Sequence, residues 1–155
     1  MKKQHRVIFL DIDGICCTLR AEFAFGQRLL MEEWDITVCQ MLRRLCEKHN
    51  LKIVISSVWR KHKDKCWHHI MFYGMWHYMH KDWYTPINKH GSIRGKDVSQ
   101  WLKAHPKVTD YVIIDDDQDF YKNQIRRFIH VKDNMNGFGA HEYIAVDKWF
   151  GRKRR

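Results

Sequence analysis

The stretch Val7-Ile8-Phe9-Leu10-Asp11-Ile12-Asp13-Gly14 decides how the rest of the chain is read. Its first four residues are apolar without interruption, three of them β-branched or aromatic, as expected of a strand buried on both faces. The run then ends in two carboxylates separated by one residue, followed by a glycine. At the carboxyl end of a strand in an open α/β sheet, Asp11 and Asp13 face the crevice where such sheets bind ligands. Two acids so close repel each other, so a cation belongs between them. Carboxylate oxygens suit a hard one, Mg²⁺ above all. The competing reading is an acidic turn, which Asp-Gly dipeptides commonly mark.

Working outward, two more strands end in polar groups. Leu51-Lys52-Ile53-Val54-Ile55 runs into Ser56-Ser57-Val58-Trp59-Arg60, and Tyr111-Val112-Ile113-Ile114 runs into Asp115-Asp116-Asp117. Residues 15–34 show no clear period and read as a flap or loop near the carboxylates. A helix follows from Asp35 to Lys48, capped by Asp35, with Val38, Met41, Leu42 and Leu45 at helical spacing. Lys61 to Tyr84 also reads as helical, because Trp67, Ile70, Met71, Gly74, Met75 and Tyr78 fall on one face. Thr85-Pro86-Ile87 reads as a short extended segment, Asn88 to Gly95 as a loop, and Lys96 to Ala104 as a helix. Tyr121 to Phe128 reads as helical and Phe128-Ile129-His130-Val131 as the last strand. Strands alternating with helices predict an α/β fold with a mainly parallel sheet. Such a sheet presents its carboxyl ends along one edge, so the three polar endings converge there.

Composition sets the bounds. A chain of 155 residues with 45% hydrophobic side chains suits one core, so residues 1–150 are read as a single domain and 151–155 as a basic tail. Cys16, Cys17, Cys39, Cys46 and Cys66 form no framework spacing, and free thiols in a reducing cytoplasm are the simplest account. The apolar run after the basic lead-in, residues 1–6, breaks at Asp11, too soon for a secretory signal. No stretch approaches the roughly 20 apolar residues that span a bilayer, so no membrane partner is expected. Twenty-eight Lys and Arg against 18 Asp and Glu give a net charge of +10, beyond the usual range for a small domain. That field favours polyanions or phosphorylated small molecules.

Taken in order, these motifs resemble the haloacid dehalogenase (HAD) superfamily of phosphotransferases. Asp11-Ile12-Asp13-Gly14 matches its first motif, Ser56 its second, and Asp115-Asp116 after Val112-Ile113-Ile114 its fourth. The third is a cation at the start of the helix before that strand. The family's usual lysine makes Lys96 the first choice, with Arg94 close behind. The resemblance implies a Rossmann-like fold with Asp11 as nucleophile, Asp13 as general acid and base, and an aspartyl-phosphate intermediate. It implies Mg²⁺ held by Asp11, the carbonyl of Asp13 and one of Asp115 or Asp116. Ser56 and the third-motif cation would hold phosphoryl oxygens, and Arg60 is a further candidate for substrate phosphate.

Short runs between the motifs leave little room for a cap domain, and capless members of the superfamily keep an open cleft suited to large substrates. With the basic surface and abundant aromatics, this points to a phosphorylated end of DNA or RNA, or to nucleotides. In size and motif order the chain is similar to the phosphatase part of polynucleotide kinase-phosphatases, without a Walker loop. Two alternatives stay open: a non-catalytic nucleic-acid-binding module on the same scaffold, and a phosphatase for a small metabolite or protein. A rival metal reading, zinc held by Cys66 with His69 and His77 with His80, fails because one helix would set the two pairs turns apart.

Overall fold

The computed structural model describes residues 5–25, 32–88 and 93–152. Residues 1–4 of the basic lead-in, 26–31 of the expected flap, 89–92 of the Asn88–Gly95 loop and 153–155 of the basic tail lie outside the described residues. Five strands, β1 (His5–Leu10), β2 (Leu51–Ile55), β3 (Met79–Tyr84), β4 (Val108–Asp115) and β5 (Phe128–His130), form one sheet in the order β3-β2-β1-β4-β5. Every pairing is parallel. The helices are α1 (Leu19–Phe25), α2 (Ile36–His49), α3 (Lys63–Phe72), α4 (Arg94–Ala104) and α5 (Ala140–Gly151). This is the Rossmann-like α/β arrangement expected, with no separate cap domain among the described residues. Among them, too, no helix is long and apolar enough to cross a membrane.

The unbroken apolar run of β1 is explained by what covers it. Ile8 and Leu10 enter a core shared with α2 and α5, through Val38, Leu42, Val146 and Phe150. Val7 and Phe9 enter a second core on the other face, with Val98 and Trp101 of α4. Alternate side chains of one strand therefore feed two apolar layers, and neither face tolerates a polar residue. Register does the rest: Leu10 pairs with both Ile55 and Ile114. The polar residues after β1 and β2 thus start level with the end of β4. Strand order reverses between β1 and β4, and a crevice opens at such a switch point.

Several elements differ from the sequence reading. Helix α3 stops at Phe72, and Gly74 follows it with φ +68°, the left-handed conformation that ends helices. The chain then turns into β3, an edge strand, where a continued helix followed by an extended segment at Thr85–Ile87 was expected. Cys66 and His69 consequently share α3, whereas His77 lies in a turn and His80 on β3. Part of the expected flap is α1, begun by Thr18, whose Oγ1 accepts from the Ala21 N–H at 3.1 Å. The Tyr121–Phe128 segment holds only a single 3₁₀ turn, Ile125–Arg127. Helix α5 had no counterpart in the sequence reading, and it ends on Gly151, the first residue of the expected tail. Asp35 does cap α2, accepting from the Thr37 N–H at 2.9 Å.

Arg60, expected as a candidate for substrate phosphate, ties α4 to the sheet, with its donors turned to the protein. Its guanidinium is buried, and all five of its N–H donors are engaged. Nε binds the Thr85 carbonyl at 3.2 Å, Nη1 those of Ser56 and Ser57 at 2.6 and 2.7 Å. Nη2 binds the Pro86 carbonyl at 3.3 Å and Asp97 Oδ2 on α4 at 2.7 Å. Removing it would leave the buried Asp97 carboxylate with the Asn88 amide but without its guanidinium partner, and would take a donor from each of four carbonyls. Arg60→Ala is therefore expected to lower stability by about 3–5 kcal/mol in a denaturant melt. Arg60→Lys, with three donors and no fork, recovers less than half of that. A melt of Arg60→Ala that superimposes on the parent's would refute this role.

Candidate active site

The crevice between β1 and β4 gathers the first and fourth motifs with one cation. Asp11 follows β1 and Asp115 ends β4, and both are buried. Arg94, at the first position of α4, sets Nη1 at 3.2 Å from Asp11 Oδ1 and 2.5 Å from Asp115 Oδ2. Its place is fixed from behind. Asp119 Oδ2 accepts from the Arg94 N–H at 3.0 Å, and the Asp119 carbonyl accepts from Gly95 at 3.0 Å. Gln124 reaches the Gly95 carbonyl at 2.9 Å. Lys96, two residues further on, is exposed, because successive alternate positions of a helix face nearly opposite ways. Of the two candidate cations, Arg94 is the one at the carboxylates.

Burial pushes the Asp11 carboxyl up, against the pull of Arg94 and a hydrogen bond from Ser57. Burial and then Asp11 push Asp115 up to about 7. Burial also disfavours the Arg94 charge, but Asp11 and Asp115 outweigh it and hold the guanidinium more firmly protonated than usual. One guanidinium thus faces two buried acids, and the site is short of positive charge. Ligand oxygens of Asp11, Asp115 and Asp116 lie within 4.8 Å of one another. An all-carboxylate set of that size fits a hard divalent cation. The carboxylate of Asp13 is not part of it: its Oδ1 accepts from Trp59 Nε1 at 2.8 Å. Burial raises the Asp13 carboxyl, with Trp59 working against it and Asp11 adding to it.

Gly14 serves this cluster by a close approach. It has φ +71°, and a Cβ there would sit 2.6 Å from Asp116 Oδ2 and 3.2 Å from Asn134 Oδ1. The room it clears is filled by Asp116. Asp117 supports the site from the backbone, its N–H donating to Asp115 Oδ1 at 2.9 Å.

Ser57, to which the sequence reading gave no role, joins Ser56 at the site. Ser57 is the serine whose side chain bonds Asp11, and its Oγ also accepts from the Trp59 N–H at 3.4 Å. Ser56 is fully buried beside it, and its Oγ has no hydrogen-bond partner among the described residues. Sequence reasoning missed Ser57 and Trp59. The N-cap signal of Ser57, a hydroxyl just before a turn, was available. The reach of Trp59 to Asp13 left no local mark. Trp59 belongs to an aromatic cluster with Trp34 and His69, at ring separations of 5.6 and 5.0 Å. All five cysteines are buried without disulfides, and burial pushes the Cys17 thiol up to about 12, so none is a ready nucleophile.

No curated protein and no solved structure matched the chain. The profile of the HAD domain in Swiss Army Knife RNA repair proteins matches residues 7–142, a span that starts within β1 and includes every carboxylate of the site. The protein therefore belongs to the family of HAD domains found in Swiss Army Knife RNA repair proteins.

Proposed function

We propose that this chain is a Mg²⁺-dependent phosphomonoesterase that removes phosphate from nucleic-acid ends, RNA ends first, through an aspartyl-phosphate on Asp11. The observation that carries the reading is the juxtaposition of Asp11, Asp115 and Arg94 at the switch point, inside a family described by RNA repair. In the first step a carboxylate oxygen of Asp11 attacks phosphorus, and the ester P–O bond breaks. Asp13, its carboxyl raised by burial, gives its proton to the departing oxygen. In the second step water attacks the same phosphorus and yields a proton to Asp13. The bond to Asp11 breaks and inorganic phosphate leaves.

Asp11, Asp115 and Asp116 would hold the Mg²⁺, which when bound neutralises the nucleophile and the phosphoryl oxygens. Ser57 and Arg94 orient Asp11. Both carboxylate contacts of Arg94 run through Nη1, and a guanidinium carries five donors, so it is suited to hold phosphoryl oxygens as well. The unpartnered Ser56 hydroxyl is the second donor for them.

An open groove lined by Lys63, Trp67, His68, Trp83 and Tyr84 supports a polynucleotide substrate. Tyr84 pairs with Ile55, so the groove begins on the same edge of the sheet as Asp11. The Trp67 and Trp83 rings lie 5.3 Å apart, and Lys63 Nζ sits 4.6 Å over Tyr84. Flat rings interleaved with cations stack bases and follow a phosphate backbone.

With Mg²⁺, the purified chain is expected to release phosphate from a 3′-phosphorylated RNA oligonucleotide. Asp11→Asn is expected to slow this at least about a thousandfold. Arg94→Ala is expected to cost about 10²–10³ in kcat, whereas Lys96→Ala stays within about twofold. Equal turnover in Asp11→Asn would overturn the nucleophile, and binding of the oligonucleotide without any turnover would favour the non-catalytic module. Trp67→Ala is expected to raise KM for the oligonucleotide about tenfold, the loss of one stacked base. The rise should be much smaller for a small aryl phosphate, and equal rises on both would remove the groove from substrate binding.

A further inference from the structure

Two imidazoles and a carboxylate meet at the opposite edge of the sheet from Asp11. His80 and Asp82 are alternate residues of β3, so they project to one face. His105, the residue that closes α4, completes the group. One ligand atom from each lies within 4.8 Å of the other two. Asp82 Oδ2 is 2.9 Å from His105 Nε2. The rings of His80 and His105 stand 5.1 Å apart and perpendicular. His80 also lines a cavity with His5, Asn50, Lys52 and Val108, where β1, β2 and β4 begin.

Hydrogen bonds decide which ring nitrogens carry lone pairs. His105 Nδ1 lies 2.6 Å from the Trp101 carbonyl, which only accepts, so Nδ1 holds the proton. His105 Nε2 is left facing the Asp82 carboxylate. Two lone pairs cannot rest against each other at that distance, so a proton or a metal cation lies between them. His80 Nδ1 accepts from the Asp82 N–H at 3.0 Å, so the neutral ring carries its proton on Nε2, and a cation on either nitrogen of His80 takes the place of that hydrogen bond.

Trp101 holds these donors in place. It is buried, and its Nε1–H donates to the Asp82 carbonyl at 3.0 Å. Its ring stacks on His105 at 3.7 Å and meets His80 edge-on at 4.9 Å. A metal-binding histidine characteristically donates its second ring N–H to a carbonyl or carboxylate, as His105 does here.

We propose that His80, Asp82 and His105 form a zinc site, with water in the fourth position. Two nitrogens and one carboxylate oxygen suit a borderline cation with tetrahedral preference. The three carboxylates of the other site suit Mg²⁺ instead. Zinc here would pin the edge strand β3 to the end of α4 and act as a structural clamp, remote from the phosphate chemistry.

The test uses the full chain, stripped with chelator and then titrated with Zn²⁺ against a chromophoric chelator in excess Mg²⁺. One equivalent is expected to bind, with Tm rising by about 5–10 °C at a hundredfold excess over Kd. Co²⁺ in its place should give the visible spectrum of a tetrahedral site. His105→Asn and His80→Asn should each weaken binding at least about tenfold, while Asp11→Asn keeps it. Circular dichroism of each variant without metal separates lost ligation from lost folding, and Asp82→Asn serves should either histidine variant fail to fold. Absence of a zinc equivalent in excess Mg²⁺ would overturn the proposal. So would an equivalent that survives both histidine substitutions or disappears with Asp11→Asn.

Discussion

Two buried carboxylates facing one guanidinium impose the constraint that the rest of the fold answers. Desolvation makes a lone buried carboxylate costly, and a second one beside it compounds the cost. Asp11 and Asp115 stay together because Arg94 reaches both, and because Ser57 and the Asp117 N–H each add a hydrogen bond. The balance is incomplete. Asp115 is still pushed up to about 7, with burial the largest cause. A divalent cation would turn the net charge of these three groups from negative to positive, the field that a phosphate group needs.

Holding Arg94 there is the task of α4 and its neighbours. A helix start would otherwise carry an arginine poorly, since the macrodipole is positive at that end. Asp119 offsets this by accepting from the Arg94 N–H, and Asp97 on the first turn adds a second negative charge. Arg60 then locks Asp97 to carbonyls beyond β2 and β3. Two buried ion pairings, Arg60 with Asp97 and Arg94 with Asp11 and Asp115, are joined through the first turn of α4, so the geometry at Asp11 depends on both. Each link is worth most when none is missing.

Much of this was legible in the chain itself. Strands β1, β2 and β4 announce themselves because they are buried on both sides, and their polar endings locate the crevice. Asp35 marks the start of α2 by ordinary cap chemistry. β3 is illegible for the opposite reason: as an edge strand with only Met79 buried, Met79–Tyr84 has no apolar rhythm to read. The helical spacing that runs from Trp67 to Tyr78 crosses Gly74, and a glycine inside a helical pattern was the one local warning. Helix α5 buries just Val146 and Phe150, too sparse a stripe to register. Residue type alone does not say whether a guanidinium such as that of Arg60 meets a phosphate or five protein acceptors. Lys96 and Arg94 stayed alternatives because the family preference for lysine says nothing about helical phase. Only position on α4 separates the two.

The segment from Ser56 to Arg60 shows why the second motif of this chain does more than present one hydroxyl. Ser57 bonds the proposed nucleophile, Trp59 bonds the proposed acid, and Arg60 anchors the helix that carries the cation. The 3₁₀ turn beginning at Val58 puts these side chains on different bearings, because three residues per turn spreads neighbours by about 120°. One short turn therefore sets the position of Asp11, Asp13 and Arg94 against a common frame. A loop free to move would lose that registration. Arg60 holds this turn to its surroundings, with donors to the Ser56 and Ser57 carbonyls before it, to the Thr85 and Pro86 carbonyls after β3, and to Asp97 on α4, so the backbone that follows β2 is rigidly placed beside Asp11.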